Sequence, residues 1–309
     1  MKIFIAVDIG GTQIRAAVYP EDSTTPLIQK KIKTQGDNKI PLERLFGLLK
    51  EIWPQEGDVQ SIAIAAPGYL DPEAGIVISA PNIPGWQNLP ISERLRAEFG
   101  VPVYLGNDAN LAALGELKFG AGQGHSDLLY LTISTGIGGG IIINKKVVAG
   151  VHGMAGELGH VVAIPDGPMC SCGKRGHIEA VSSGTGIASY VKEKVKEGVP
   201  SVFTLGSNPS AKEISVAAEN GDALSREAFD RAGYYLGQTI ADWLHMLNPS
   251  ILIMGGGVSR SGDLLMKPLL ASLEEHIISK EYIDTLQIVP AALGDDAGLL
   301  GALALSLEK

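Results

Sequence analysis

The chain opens with Lys2-Ile3-Phe4-Ile5-Ala6-Val7-Asp8-Ile9-Gly10-Gly11-Thr12 and continues into the apolar run Ile14–Tyr19. Lys2–Val7 and Ile14–Tyr19 are typical of β-strands, and paired glycines between such runs indicate a hairpin turn. Near residue 127 the pattern begins again with Leu128–Ser134, a glycine turn and Gly140–Asn144. This internal repeat predicts two domains that each begin with a hairpin turned by Gly and Thr.

Strand-like runs alternate with helix-like segments along the rest of the chain, which is the pattern of an α/β fold. Buried strands are predicted at Ser61–Ala66, Val101–Leu105 and Ile251–Met254. Apolar residues at helical spacing predict helices, the last of which follows two aspartates that could cap it. The predicted helices are Pro41–Trp53, Ser92–Phe99, Ala109–Phe119, a helix opened by the capping box Ser210–Glu213, Ala223–Leu247 and Ala297–Leu307, with Asp295 and Asp296 as the candidate caps.

Composition excludes several classes of protein. The chain has 309 residues, 45% of them hydrophobic, which is enough for about two packed domains. A net charge of −9 argues against a nucleic-acid-binding protein. Asp8 interrupts the apolar N-terminus too early for a signal peptide, and the longest uncharged run, Leu128–Asn144, is too rich in glycine for a membrane span. We therefore expect a cytoplasmic protein with no membrane partner.

Glycine-rich segments stand at three predicted strand ends. Asp8-Ile9-Gly10-Gly11-Thr12 offers backbone N–H groups to phosphate and a carboxylate to Mg²⁺, although an ordinary hairpin turn explains it equally well. Two further segments could bring their backbone close to a ligand in the same way: Thr135-Gly136-Ile137-Gly138-Gly139-Gly140 and Gly255-Gly256-Gly257. The dinucleotide and phosphate-loop spacings are absent from the sequence. Three such segments suggest a nucleotide gripped between two domains.

Asn107-Asp108 follows a predicted strand and precedes a predicted helix. Asp108 at that position is either the N-cap of the helix or a catalytic base that accepts a hydroxyl proton. In the second case Asn107 would position a neighbouring hydroxyl.

Two cysteines and two histidines lie close together in the sequence. His160, Cys170, Cys172 and His177 form a candidate tetrahedral zinc set of the structural type. The alternative is two reduced surface thiols with unrelated histidines. Glu157 and Glu179 flank the set and could present carboxylates to a polyol. If His160 gave one ring nitrogen to zinc, the other would be a donor towards a substrate hydroxyl.

Trp86 lies in Pro81-Asn82-Ile83-Pro84-Gly85-Trp86. Its aromatic face suits a packed loop between domains and a sugar pocket equally well.

Together these motifs resemble the ROK family (repressors, uncharacterised open reading frames and kinases) of the actin-like ATPase and sugar-kinase superfamily. The resemblance spans the chain and implies an α/β fold of two RNase H-like domains with an interdomain active-site cleft. It implies a small N-terminal domain, residues 1–113 plus 296–309, and a large domain, residues 114–295, that carries the zinc loop. The motifs are Asp8–Thr12, Ala66-Pro67-Gly68, Asn107-Asp108-Ala109-Asn110, Thr135–Gly140, Glu157-Leu158-Gly159-His160 and the cysteine-rich stretch through Glu179.

The kinases of this family transfer the γ-phosphate of ATP to a sugar hydroxyl, so the resemblance implies ATP, Mg²⁺ and structural Zn²⁺ as ligands and Asp108 as the base. The implied sugar ligands are Gly68, Asn107, Asp108, Glu157, His160 and Glu179. Phosphate contacts are implied for Gly10, Gly11, Thr12, Thr135, Gly136 and Gly138, adenosine contacts for Gly255, Gly256 and Gly257, and a place near Mg²⁺ for Asp8.

Two local features refine this expectation. The family's zinc loop usually carries a third cysteine where this chain has His177, which exchanges a thiolate for a harder ligand. Ala155-Gly156-Glu157 and the segment ending at Trp86 are similar to the glucokinase branch. We therefore expect glucose, phosphorylated to glucose 6-phosphate, with N-acetylmannosamine, N-acetylglucosamine, mannose, allose and fructose as alternatives.

The family also contains proteins of other kinds. Its repressors carry a helix-turn-helix domain ahead of the core, whereas this chain begins at the first strand, so a DNA-binding repressor is not expected. A non-catalytic sugar sensor is the alternative of another class. Family members are often dimers or tetramers, so a homo-oligomer is expected.

Overall fold

The computed structural model describes residues 1–36 and 40–309. Contacts between Cα atoms divide the chain into two compact units. Unit 1 comprises Met1–Ser126, Gly140–Gly156 and Ala291–Lys309, and unit 2 comprises Asp127–Gly139 and Glu157–Pro290. Within the described residues, no helix has the length and apolar composition needed to cross a bilayer.

The first sheet lies in unit 1. Its strands are β1 (Lys2–Ile9), β2 (Gln13–Pro20), β3 (Ile28–Lys33), β4 (Asp58–Ala66) and β8 (Val103–Asn107), in the order β3-β2-β1-β4-β8. β1, β2 and β3 are joined as antiparallel neighbours, and β1, β4 and β8 run parallel. The predicted opening hairpin is therefore confirmed. A smaller antiparallel sheet, which the sequence did not predict, contains β5 (Tyr69–Asp71), β6 (Ile76–Ser79) and β7 (Gln87–Leu89).

The second large sheet repeats this order. It is β11-β10-β9-β12-β13, with β9 (Leu128–Ile133), β10 (Ile137–Ile143), β11 (Lys146–Val147), β12 (Ile251–Gly255) and β13 (Gln287–Pro290). β12 runs parallel to β9 and β13, as β4 does to β1 and β8. The predicted internal repeat is thus confirmed, but its second strand begins at Ile137 rather than Gly140. The glycines belong to the strand because neighbouring side chains take the space beside them: a Cβ at Gly139 would lie 2.4 Å from Leu158.

Ten helices are present in the described residues: α1 (Pro41–Ile52), α2 (Ile91–Phe99), α3 (Asp108–Phe119), α4 (Glu179–Ser182), α5 (Gly184–Lys196), α6 (Ala211–Glu219), α7 (Ala223–Leu247), α8 (Asp263–His276), α9 (Glu281–Asp284) and α10 (Ala297–Leu307). Single 3₁₀ turns occur at Leu158–His160, Ser259–Ser261 and Gly294–Asp296. The capping box before α6 and the bounds of α7 and α10 agree with the sequence expectation.

The helix α10 lies in unit 1 with the N-terminal strands. It packs on α3, β1 and β4, and the hydroxyl groups of Ser306 and Ser61 are hydrogen-bonded at 3.0 Å. The expected cap of α10 is wrong in one respect: Asp296 stands at the N-cap but makes no side-chain capping bond. Its carboxylate instead accepts from Arg15 at 3.3 Å.

The predicted domain limits and the compact units divide the chain at different residues. Residue 113 falls inside α3, whereas all of α3 belongs to unit 1, because it packs along α10. Residues 140–156 and 291–295 also group with unit 1. The limits 1–113 plus 296–309 and 114–295 stay a prediction.

Trp86 belongs to the apolar core of unit 1. Only 3% of its surface is exposed, and it packs with residues of the same core such as Ile83 and Leu89. This burial supports a packing role for Trp86, within the core of unit 1, over a place in a sugar pocket.

Candidate active site

Several predicted site residues of unit 1 lie at one edge of its sheet. The strand register pairs Asp8 with Ala65 and Ala66 with Asn107, so the carboxyl ends of β1, β4 and β8 are level. In α/β sheets this edge is where ligands bind. Asp8, the turn Gly10-Gly11-Thr12, Gly68, Asn107 and Asp108 all stand at or just after these strand ends.

The N-cap of α3 is Asn107. Its side-chain oxygen accepts the N–H groups of Ala109 and Asn110, both at 3.1 Å. The alternative in which Asp108 is the N-cap is therefore wrong, because Asn107 takes that position. Asp108 is the first residue of the helix, half-buried, and one of its oxygens accepts the N–H of Ala109 at 2.8 Å. Asp108 therefore lies at the junction between β8 and α3, as the sequence predicts.

The segment after β4 is shaped by Gly68. Gly68 has a φ of +92°, and a Cβ there would lie 2.2 Å from the carbonyl oxygen of Ser79. A side chain is excluded on both counts. The chain can therefore turn closely against the end of β6.

Asp8 is held by a residue that the sequence analysis missed. Nε and Nη2 of Arg15 both donate to Oδ2 of Asp8, at 3.1 and 2.5 Å. Arg15 also donates to the carbonyl of Asp295. A signal was available, since the hairpin register places Arg15 directly across from Asp8 and opposite charges favour such pairs. Both bonds fall on one oxygen, which orients Oδ1 of Asp8 away from the guanidinium.

In unit 2 the four candidate metal ligands meet. The donor atoms of His160, Cys170, Cys172 and His177 all lie within 4.8 Å of one another. Nδ1 of His160 is 3.7 Å from Sγ of Cys170, and Nδ1 of His177 is 3.3 Å from Sγ of Cys172. A zinc tetrahedron with bonds of about 2.0–2.3 Å requires ligand separations of roughly 3.3–3.8 Å. The residues therefore fit zinc with a small contraction.

The backbone of residues 169–177, the metal-binding loop, explains this convergence. Cys170 N–H donates to Lys174 at 2.8 Å, and Gly173 N–H donates to Cys170 at 2.9 Å. Isolated bridges pair Met169 with Arg175 and Val162 with His177. The tight turn brings both cysteines to one side of the loop.

Burial shifts the pKa values of two of the candidate metal ligands. It raises the pKa of Cys170 to about 11, with Glu179 contributing, so that the metal-free residue is a thiol. Burial, reinforced by the charge of His160, lowers the pKa of His177 and favours the neutral ring that a metal requires. Zinc binding at Cys170 would therefore displace the thiol proton.

Two carboxylates border the metal-binding loop. Glu157 lies 3.8 Å from Nε2 of His160, and burial raises its pKa despite that histidine. Glu179 accepts the hydroxyl of Ser171 at 2.9 Å and the N–H of Ile137 at 3.0 Å. His160 therefore directs Nδ1 to the ligand set and Nε2 towards a carboxylate, the arrangement typical of a metal-bound histidine.

The second glycine segment forms a turn at Ser134–Ile137, the glycine turn. Ser134 N–H bonds Gly136 at 2.9 Å, and the start of α5 donates to Ser134 and Thr135 from Gly184 and Thr185, at 2.7 and 3.3 Å. The backbone carbonyls of the turn are thus anchored on the N-terminus of α5.

A cavity of about 820 Å³ in unit 2 adjoins this turn. Thr135 and Gly257 both line it, so two of the predicted glycine segments meet there. None of the described residues that line the cavity is acidic. Three of them are cations that the sequence analysis missed: Lys192, Lys212 and Arg260. The volume and the charge suit a nucleotide. Gly255 is the last residue of β12, and Gly256 follows it directly. Gly138 is the second residue of β10.

The model of the ROK family matches residues 4–309. The chain belongs to the ROK family. Among curated relatives, the glucokinase of Thermotoga maritima is 37% identical to this ROK protein over 313 residues, covering 99% of this chain and 97% of that one. The predicted family is therefore confirmed.

Solved structures agree with this assignment. A ROK family glucokinase from Streptomyces griseus, in complex with glucose and AMPPNP, has a TM-score of 0.80 and 35% identity, covering 99% of this chain and 100% of that one. A ROK family transcriptional regulator, homologous to the E. coli MLC protein, has a TM-score of 0.87 and 29% identity, covering 99% of this chain and 78% of that one. The predicted α/β fold of the ROK kinases is confirmed. Both catalytic and regulatory relatives share it.

Proposed function

We propose that this ROK protein transfers the γ-phosphoryl group of ATP to glucose and forms glucose 6-phosphate and ADP. The observation that carries the proposal is the junction of β8 and α3, where Asn107 is the N-cap and Asp108, the proposed base, is the first residue of the helix. Full-length similarity to glucokinases supports the same conclusion.

Asp108 acts in this proposal on the attacking hydroxyl. The carboxylate takes the hydroxyl proton of glucose O6 as the oxygen attacks the γ-phosphorus and ADP departs. A positioned base contributes about 10²–10⁴-fold to such a reaction. The rest comes from orientation and from donors placed around the transferred group.

Sugar recognition is assigned to six of the predicted site residues: Gly68, Asn107, Asp108, Glu157, His160 and Glu179. Carboxylates suit a polyol because they accept hydrogen bonds from its hydroxyl groups. An oriented imidazole can donate a hydrogen bond to a neighbouring hydroxyl oxygen. A pocket that bonds each hydroxyl discriminates strongly against sugars that lack one.

Nucleotide recognition is assigned to the glycine segments. Gly10, Gly11 and Thr12, with Thr135, Gly136 and Gly138, would contact phosphate, and Gly255, Gly256 and Gly257 would border the adenosine. The cavity beside Thr135 and Gly257 supports this role in unit 2. Mg²⁺, when bound, neutralises phosphate charge, and Asp8 would hold it directly or through water.

Zinc is assigned a structural role at His160, Cys170, Cys172 and His177. The distances among these donors support a closed four-ligand site, which orders its loop and leaves no position for water. Two histidines in the set leave fewer thiolates than the usual family loop has, and affinity for zinc is expected to fall accordingly.

The test is ADP release with Mg-ATP against a panel of hexoses and N-acetylhexosamines. We expect turnover with glucose, and we expect Asp108→Asn to lower kcat by about 10²–10⁴-fold while glucose binding persists. Asp58→Asn serves as the matched control, because Asp58 is exposed and is the first residue of β4, at the other end of the strand from the candidate site. Near-normal turnover of Asp108→Asn would remove Asp108 as the base.

A non-catalytic sugar sensor is the second candidate, favoured by the structural likeness to a ROK regulator. Sugar binding without ADP release on any sugar of the panel would support it. Turnover on N-acetylmannosamine, N-acetylglucosamine, mannose, allose or fructose in preference to glucose would change the substrate and keep the mechanism.

Location and assembly stay predictions. We propose that the enzyme works in the cytoplasm, as part of glycolysis, and as a dimer or tetramer. Light scattering of the purified protein would give the oligomeric state, and cell fractionation would give the location.

A further inference from the structure

One carboxylate in unit 2 touches both the metal-binding loop and the glycine turn. Glu179 is the first residue of α4. Its Oε1 accepts the Ser171 hydroxyl at 2.9 Å, and its Oε2 accepts the backbone N–H of Ile137 at 3.0 Å. The two oxygens thus hold the two segments separately.

The contact with the glycine turn is tight. A Cβ at Gly136 would lie 2.4 Å from Oε2 of Glu179, whereas ordinary van der Waals contact is 3.4–4 Å. The backbone of the turn therefore rests directly on the carboxylate. A movement of Glu179 has to move the N–H groups of the turn or break the bond to Ile137.

On the loop side, Glu179 has two donors. The Cys170 thiol lies 3.4 Å from Oε1, and the Ser171 hydroxyl is closer. A cysteine bound to zinc is a thiolate, which accepts hydrogen bonds and does not donate them. Ser171 is thus the donor that persists when the loop holds a metal. It stands between the two cysteine ligands and is exposed, so its position depends on how well they are ordered.

We infer that Ser171 is a positioning residue that acts through Glu179 and couples the metal-binding loop to the glycine turn, so that order in the loop sets the affinity for nucleotide. The inference rests on the proposed function, in which the glycine turn contacts phosphate. Metal bound in the loop fixes Ser171, Ser171 fixes Glu179, and Glu179 fixes the backbone of the turn through the N–H of Ile137. By linkage, nucleotide strengthens zinc binding by the same factor.

The test measures ADP binding with Mg²⁺ by titration calorimetry, alongside zinc content. In the zinc-loaded protein, Ser171→Ala should weaken ADP binding by about five-fold or more, at unchanged zinc content, and Ser171→Thr should restore it. Stripping zinc from the wild type should weaken ADP binding at least as much, with a smaller further effect in Ser171→Ala. Because Ser171→Ala is measured with zinc bound, the test does not depend on the stripped protein staying folded.

The matched control is Lys174→Ala, an exposed change in the same loop. The loop uses the backbone carbonyl of Lys174, which accepts from Cys170 at 2.8 Å, and this bond survives the substitution. ADP affinity should stay at the wild-type value. Equal effects of Lys174→Ala and Ser171→Ala, or wild-type ADP affinity in Ser171→Ala, would overturn the coupling. Failure of the zinc-loaded wild type to bind ADP at all would overturn the proposed function, and the coupling with it.

Discussion

Gly301 in α10 lies against the backbone of α3. A Cβ at this position would stand 1.9 Å from the carbonyl oxygen of Leu111 and 2.3 Å from its carbonyl carbon. Ordinary van der Waals contact begins at 3.4 Å, so the Cβ of Gly301→Ala would be about 1.5 Å too close to this oxygen. The obstructing atoms belong to the helix backbone and cannot rotate away. One of the two helices has to move.

The expected cost follows from two opposing effects. Overpacking a close contact costs about 1–3 kcal/mol, and the upper end applies because the clash is with backbone. Replacing glycine by alanine inside a helix returns about 1 kcal/mol. Gly301→Ala should therefore lower the free energy of unfolding by about 2 kcal/mol. A displaced α3 would also carry Asp108 with it, so we expect kcat to fall about ten-fold or more.

The assay is urea unfolding together with ADP release in the presence of glucose. Gly47→Ala is the matched control, because Gly47 lies inside α1, is exposed and has no atom within 4 Å of the position that a Cβ would take. It should stabilise the protein by about 0.5–1 kcal/mol and leave kcat unchanged. The reasoning is refuted if Gly301→Ala is as stable and active as Gly47→Ala.

Three further outcomes are expected. Burial raises the pKa of Asp222, but hydrogen bonds from Ser225 and from the loop before α6 outweigh burial and hold the pKa below 3.8. The stabilisation that Asp222 gives to the fold is therefore complete above pH 3.8 and is lost as the pH falls towards the folded-state pKa. Asp222→Ala should cost about 1–3 kcal/mol in urea unfolding at neutral pH, and an equal deficit well below pH 3.8 would contradict this. The buried carboxylate of Glu116 accepts backbone N–H groups before β9 and before α10, at 2.8–3.2 Å; Glu116→Ala should cost about 2–4 kcal/mol, and Glu116→Gln less, because one acceptor oxygen remains. Cys172→Ala should remove zinc measured by elemental mass spectrometry while Lys174→Ala keeps it, and full zinc content in Cys172→Ala would exclude the proposed ligand set.

Most of the secondary structure was predictable because its determinants are local. The bounds of α7 follow from the cap at Asp222 and the stop at Asn248, and the capping box at Ser210 is a pattern four residues long. The β5–β7 sheet was missed because its strands have only three or four residues, too few for a periodic signal. β10 was placed three residues late because glycine was interpreted as a turn residue, whereas here it makes room for Leu158.

The candidate site divides in the same way. The meeting of the four candidate metal ligands was predictable, because four residues within eighteen positions of sequence, His160–His177, need only a tight loop to come together. Asp108 was ambiguous in the sequence, since either it or Asn107 can cap a helix that starts there. The backbone conformation decided for Asn107.

By itself, the sequence determined the alternation of strands and helices, the repeated hairpin, the cluster of two histidines and two cysteines, and the family. These rest on spacing along the chain, which folding does not alter. Only the tertiary structure decided which groups hold the site in place: Arg15 on Asp8, Ser171 and Ile137 on Glu179, and Gly301 against α3. Such contacts depend on distances of a few tenths of an ångström between segments far apart in sequence, and those distances exist only once the core has packed.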